Sequence, residues 1–200
     1  MILPPALALS HKLVRQVVQP GDIVIDATVG NGHDTCFLAE CVGPAGKVYG
    51  FDIQSLALTR TTERLVQRNL YERVHLFHAG HEEMRHFIPE EHHGAIRAVM
   101  FNLGYLPGSD KSVTTQADTT IAALEAALHM LTLGGLVSIV IYSGHPAGKM
   151  EQTALYQWAS QLDQQAVHVA VYQFLNQKGD PPSLMAMEKK GHFPFLTTQP

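Results

Sequence analysis

The sequence predicts an α/β protein built on a doubly wound, mostly parallel sheet of about seven strands that closes with a C-terminal antiparallel hairpin. Three observations predict it. Short apolar blocks rich in β-branched residues alternate with helical patterns through most of the chain, as strand–helix–strand units sharing one parallel sheet do. A glycine pair, Gly30 and Gly32, directly follows the first apolar block, where an open α/β sheet holds its ligands. The last two apolar blocks are joined only by NQKGDPP, which is too short for a helical crossover, so they pair antiparallel.

The elements follow in order. Residues 6–19 fit an opening helix, and DIVIDA, 22–27, is the first strand. Residues 34–41 read as a helix, and KVYGFDI, 47–53, as the second strand. A helix spans 55–69 with Ser55 as its N-cap. Residues 73–78 form the third strand, with a short helix from His81, and 96–103 the fourth. A long helix covers 114–133, the fifth strand 136–143 and a further helix 148–162. The closing strands are 167–175 and 183–188. His92-His93-Gly94 is a loop, and no repeat or linker interrupts the pattern, so residues 1–200 read as one domain.

Composition narrows the function classes. Apolar residues at 46% and charged residues at 16% suit a folded core. A formal charge of −4 excludes a polycation that coats nucleic acid; any RNA binding needs local basic patches or a shaped pocket. Cys36 and Cys41 form neither a CxxC pair nor a disulfide framework and read as buried thiols in a reducing compartment. MILPPALALS lacks a basic region ahead of its apolar stretch, and the apolar run 136–142 is too short to span a bilayer. The expectation is a cytoplasmic protein without membrane contact.

The first strand ends in DATVGNGHDT, 26–35. Gly30 and Gly32 let backbone approach a ligand, and Asp52 at the end of the second strand is placed to grip ribose hydroxyls. A dinucleotide site wants G-x-G-x-x-G, but Thr35 stands at the third glycine position. Asp26 and Asp34 also suit a diphosphate poorly, whereas the ammonium and sulfonium of S-adenosylmethionine are favoured by acidic neighbours. The alternative is structural: glycines for a tight turn and Asp52 as a cap.

The fourth strand runs into FNLGYLPGSDKS, 101–112. A core strand ending on an amide, followed by an aromatic, a proline and two glycines, is more than a turn needs. Asn102 would orient an amine at the methyl donor. Tyr105 would stack on a base, worth about 1–3 kcal/mol. Otherwise Asn102 caps a strand and Tyr105 packs on the surface.

FNLGYLPGSDKS, together with DATVGNGHDTCFLA, VYGFDIQ, YSGHPAGKMEQ and NQKGDPPSLMAMEK, resembles a bacterial family long labelled rRNA methylases. Its characterised members methylate the aminomethyl group of 5-aminomethyl-2-thiouridine at the tRNA wobble position. The similarity covers nearly the whole chain. The wider class has a glycine where Thr28 and Val29 stand, and often N-P-P-Y after strand four; here NLGY keeps the asparagine and the aromatic but not the prolines.

The resemblance implies a Rossmann-like methyltransferase sheet using S-adenosylmethionine, with tRNA, through its anticodon loop, as substrate. The expected cofactor contacts are Asp26, Thr28, Gly30, Asn31, Gly32, Asp34, Thr35, Asp52, Ile53, Gln54, His81, Glu82, Asn102 and Gly104. Transfer would be direct and in line, with catalysis by positioning. Asn102 is the expected catalytic residue, joined by Asp110 as proton acceptor or as a plain turn residue. Tyr105, Lys111, His145 and Lys178 are expected on the RNA, although Lys111, His145 and Lys178 each also fit a solvated surface. Family members are often dimers, so a homodimer is expected from the resemblance alone.

Arg60, Arg64 and Arg68 recur every fourth residue, giving a basic stripe that reads as a solvated face or a phosphate track. No metal is expected: His75 and His78 point to opposite faces of a strand, and there is no H-E-x-x-H or Cys/His cluster. Competing readings are an rRNA or small-amine methyltransferase of the same fold, and a nucleotide-binding protein without catalysis.

Overall fold

The computed structural model describes residues 2–104 and 114–193. The chain runs α1 (Ala6–Val17), β1 (Ile23–Asp26), α2 (His33–Val42), β2 (Lys47–Asp52), α3 (Ser55–Gln67), β3 (Val74–His78), α4 (Met84–Phe87) and β4 (Ile96–Leu103). It continues through α5 (Ala117–Met130), β5 (Leu131–Ile141), α6 (Pro146–Ala159), β6 (Val167–Tyr172) and β7 (Ser183–Lys189). The strands form one sheet in the order β3-β2-β1-β4-β5-β7-β6. β1 to β5 pair in parallel, and β7 runs antiparallel between β5 and β6. The order reverses between β1 and β4, so the ligand crevice of such a sheet opens at the tips of these two strands.

The near-continuous apolar strands follow from two covered faces. On β4, Ala98 and Met100 pack with Val14, Leu38 and Leu65 of α1, α2 and α3. Val99, Phe101 and Leu103 point the other way, to Leu124, Leu128 and Leu155 of α5 and α6. This is the period-two alternation of a strand, with both faces apolar. Burying a side chain such as Phe101 or Leu128 contributes about 1.5–3 kcal/mol.

Two expected boundaries shift for physical reasons. The helix expected to 133 stops at Met130, because β5 already begins at Leu131. Leu131 pairs with Ile96, the pairing then breaks, and Leu136 pairs with Ala98. The chain between bulges out through Gly134, whose φ of +71° favours glycine. Ser55 is not the cap of α3: it is the first helical residue, behind Gln54, and no side-chain cap bond forms.

Helix α1 is fastened across β4, β5 and β7. Ser10 Oγ lies 2.6 Å from Ser138 Oγ, and Arg97 Nε donates to the Val17 carbonyl at 2.8 Å. That docking carries Leu7 and His11 to the carboxyl ends of the strands. The residues flanking 105–113 are fastened as well. Gly104 N donates to Thr115 Oγ1 at 3.0 Å, and Thr115 N donates to the Gly104 carbonyl at 3.1 Å. Thr115 and Thr120 donate in turn to the buried Glu151 carboxylate at 2.7 and 2.8 Å. Among the described residues no helix is long and apolar enough to cross a membrane.

Candidate active site

A cavity of about 1150 Å³ opens at the tips of β1, β2 and β4. That is at or above the upper end for small-ligand sites, about 300–1,000 Å³. Of the expected cofactor residues, Thr28, Gly30, Asn31, Asp34, Asp52, Ile53, Gln54, His81, Glu82, Asn102 and Gly104 line it.

Asp26, Gly32 and Thr35 are expected on the ligand from the sequence but do not line the cavity. Asp26 is buried beneath the loop: Oδ1 accepts from Thr28 N at 3.2 Å and Oδ2 from Thr35 Oγ1 at 2.6 Å. It ties β1 to α2. Burial, reinforced by the neighbouring Asp34 charge, pushes its carboxyl up to about 7. Gly32 is required by packing. A Cβ there would lie 2.6 Å from Thr61 Oγ1, and its φ is +76°. The glycine therefore lets α2 and α3 close together.

The loop between β1 and α2 is held from both sides. Asp52 Oδ2 accepts from Gly30 N and Oδ1 from Gln54 N, both at 2.8 Å. Thr61 Oγ1 donates to the Gly30 carbonyl at 3.1 Å. Arg64 Nε donates to the Asn31 carbonyl at 2.9 Å and Arg60 Nη1 to Asn31 Oδ1 at 3.3 Å, while Arg68 pairs with Glu40 at 2.6 Å. The basic stripe of α3 stays on the solvated side of the helix, with Arg60 and Arg68 exposed and Arg64 half-buried, but its charges are not left to a phosphate track. Its arginines bind the protein itself, two of them holding the glycine loop.

At the tip of β4, Asn102 N donates to Thr28 Oγ1 at 2.7 Å. Its side-chain Nδ2 donates to Asp34 Oδ2. A carboxylate only accepts, so this contact fixes which way the amide points. Asn102 Oδ1 is left buried without a hydrogen-bond partner among the described residues. The other oxygen of Asp34 lies 2.6 Å from His11 Nε2. On the far side, His81 Nδ1 lies 3.3 Å from the Ala27 carbonyl, and Nε2 is buried with no partner among the described residues. Since a carbonyl only accepts, Nδ1 carries the hydrogen and Nε2 is a bare acceptor. Burial pushes the His81 imidazole down, which favours this neutral form.

Among the described residues no lysine or arginine lines the cavity, whereas Asp34, Asp52, Glu82 and Asp180 do. Such a lining disfavours a diphosphate and favours a cationic ligand. Among the described residues no group of three or more His, Cys, Asp or Glu is placed to hold a metal ion.

His145 lines the cavity and caps α6, its Nδ1 accepting from Gly148 N at 3.1 Å. Lys178 does not line the cavity; it is exposed on the β6–β7 loop, whose Asp180 and Pro182 do. Tyr105, Asp110 and Lys111 lie outside the described residues. Cys36 is buried and Cys41 half-buried, both as free thiols. Sequence reasoning missed His11, which lies on the opening helix with no motif around it. It also passed over Tyr142 and Asp180, although both stand in stretches that carried the resemblance.

A family model described as "Putative rRNA methylase" matches residues 48–188. The chloroplastic tRNA (mnm(5)s(2)U34)-methyltransferase of Arabidopsis thaliana is 41% identical over 179 residues, which is 86% of this chain and 65% of that protein. The chain therefore spans just under two thirds of that relative's length. A Clostridium thermocellum crystal structure under the same description as the family is 42% identical with a TM-score of 0.90, over 93% of this chain and 98% of that one. A "putative methyltransferase" from Streptococcus mutans in complex with SAH is 41% identical with a TM-score of 0.84, over 93% and 98% of the two chains. The sheet order and these superpositions make the fold a Rossmann-like methyltransferase fold. With most of its length matched by the model and its fold shared, the chain belongs to the family described as "Putative rRNA methylase".

Proposed function

We propose that the protein is an S-adenosylmethionine-dependent methyltransferase that methylates the aminomethyl nitrogen of 5-aminomethyl-(2-thio)uridine at the wobble position of tRNA. The observation that carries this reading is Asn102 Oδ1, a buried acceptor whose orientation Asp34 fixes and which no group among the described residues satisfies. A buried acceptor calls for a donor, because leaving it unmet costs about 1–3 kcal/mol. A primary amine supplies that donor and keeps its lone pair for attack. The Arabidopsis relative, a tRNA (mnm(5)s(2)U34)-methyltransferase, and the SAH in the Streptococcus mutans structure support the same reading.

The residues fit the cofactor. His81 Nε2 is a buried acceptor suited to an exocyclic amine of adenine. Asp52 carries lone pairs beyond the two it gives to backbone, which suits ribose hydroxyls. The acidic lining suits an ammonium and a sulfonium. The bound cofactor supplies a methyl group already activated on positive sulfur. The chain's own work is then positioning. Asn102 orients the amine, Thr28 holds the Asn102 backbone and Asp34 holds its amide. The anticodon loop would reach the amine site past Tyr142 and the β6–β7 loop.

The test uses purified protein, labelled S-adenosylmethionine and three RNAs: tRNA lacking only the final methyl group, tRNA with an unmodified wobble uridine, and rRNA. Label is expected in the first alone, at the wobble nucleoside by mass spectrometry. Label in rRNA, or in tRNA with the unmodified uridine, overturns the reading.

A further inference from the structure

The chain from Asn102 through Asp34 does not end at the carboxylate. His11 Nε2 lies 2.6 Å from Asp34 Oδ1. The ring is stacked on Phe37, 4.0 Å between centroids and 6° from parallel, so it cannot swing freely. It lines the same cavity as Asn102 and is 29% exposed. Because Asp34 only accepts, Nε2 carries a hydrogen and the lone pair of a neutral His11 is at Nδ1. Nδ1 has no hydrogen bond among the described residues. A carboxylate holding one ring nitrogen as a donor, with the other left bare, is the arrangement that makes histidine a general base.

An aliphatic amine enters at neutral pH as its ammonium and cannot attack until it loses a proton. We propose that His11, oriented by Asp34, is the base that takes this proton, directly or through one water. This rests on the reading that the acceptor is a primary amine. In the step, the N–H bond of the ammonium breaks, a hydrogen forms on His11 Nδ1, and the neutral amine remains on Asn102 Oδ1. The nitrogen lone pair then forms the N–C bond to the methyl carbon while the C–S bond breaks and its electron pair stays on sulfur. The product is a secondary ammonium, and the half-buried His11 returns its proton to solvent. Asp34 serves both halves of the step: one oxygen sets the base, the other sets the amide that receives the amine.

Of the titratable groups, Asp34 on α2 touches this ring, Asp26 on β1 neighbours Asp34, and Tyr142, His145 and Asp180 line the same cavity. Arg15, one turn along α1, has its guanidinium carbon 5.1 Å from the Phe37 centroid.

The test is the pH profile of methyl transfer for wild type, His11→Gln and Asp110→Asn, on tRNA carrying the aminomethyl uridine. The glutamine amide keeps a donor toward Asp34 but cannot take a proton. The expected result is a loss in kcat of roughly 100-fold at neutral pH, within the usual range for a general base. The loss should shrink toward alkaline pH, where the amine is already neutral, with SAH affinity by calorimetry unchanged. A loss that is the same at every pH means a structural role and overturns the proposal, as does no loss. A pH-dependent loss in Asp110→Asn but not in His11→Gln places the base elsewhere and overturns it too. A wild type that methylates rRNA but no aminomethyl uridine removes the proposed function, and this step with it.

Discussion

Truncating Asn102 to alanine separates the catalytic role of its amide from its structural one. The backbone bond from Asn102 N to Thr28 Oγ1, 2.7 Å, survives the change, so the strand tip keeps its place. Two interactions go. Asp34 loses the amide donor on Oδ2 but keeps His11 at 2.6 Å on Oδ1, and it borders an open cavity that water reaches. Hydrogen bonds to charged groups contribute about 1.5–3 kcal/mol, and access to water lowers the loss to about 1 kcal/mol. For a chain of this size that is a fall in Tm of about 2–4 °C. The amine loses the acceptor that orients it. Taking the same 1.5–3 kcal/mol for that contact, kcat falls by roughly 10- to 150-fold. SAH affinity stays within about threefold, since His81 and Asp52 are untouched, a bound chosen to lie well below the effect on kcat. Single-turnover methyl transfer, calorimetry with SAH and thermal melting read the three quantities. If Tm falls as expected but turnover is unchanged, Asn102 serves Asp34 alone and the proposed role of its oxygen is wrong.

Other perturbations test the frame around it. Gly32→Ala brings a Cβ to 2.6 Å from Thr61 Oγ1 at a backbone φ of +76°. Strain and clash together should remove about 2–4 kcal/mol, read as a large drop in Tm; a melt matching wild type would show that α2 and α3 can part without loss. Asp52→Asn sets an amide NH₂ against one of two backbone donors, Gly30 N or Gln54 N. SAH affinity should fall about tenfold, for an interaction worth about 1.4 kcal/mol; an unchanged Kd takes Asp52 out of the cofactor site. Asp26 titrates at about 7 in the fold against 3.8 ordinarily, so between those values the folded chain holds a proton that the unfolded chain lacks. Its contribution to stability therefore declines as pH rises from 3.8 toward 7 and is level above. Denaturant midpoints for wild type and Asp26→Asn should differ in slope over that window; parallel curves would contradict the burial of this carboxyl.

The strands are legible because each is buried on both faces, and a doubly buried strand writes itself as an apolar run. β4 appears at its expected bounds for that reason, Ile96–Leu103. β5 is less legible, since the stretch after Leu131 leaves the ladder before pairing resumes at Leu136. Glycines, carboxylates and Asn102 mark the cavity because their chemistry is local to strand tips. His11 cannot be found in this way. On the sequence it is one polar residue of an amphipathic helix, and only the docking of α1 by Ser10 and Arg97 brings it to Asp34. The contact of Arg64 is hidden for a similar reason: its acceptor is the Asn31 carbonyl, and a backbone group leaves no trace in composition.

The fastening of the glycine loop has a kinetic consequence. Asp52, Thr61, Arg60 and Arg64 hold residues 30 and 31 through side chains of α3 and the end of β2. The conformational entropy of that segment is thus surrendered when the chain folds, not when a ligand arrives. Capture at this rim should then proceed as a single encounter-limited phase, with no slow isomerisation of the segment following it.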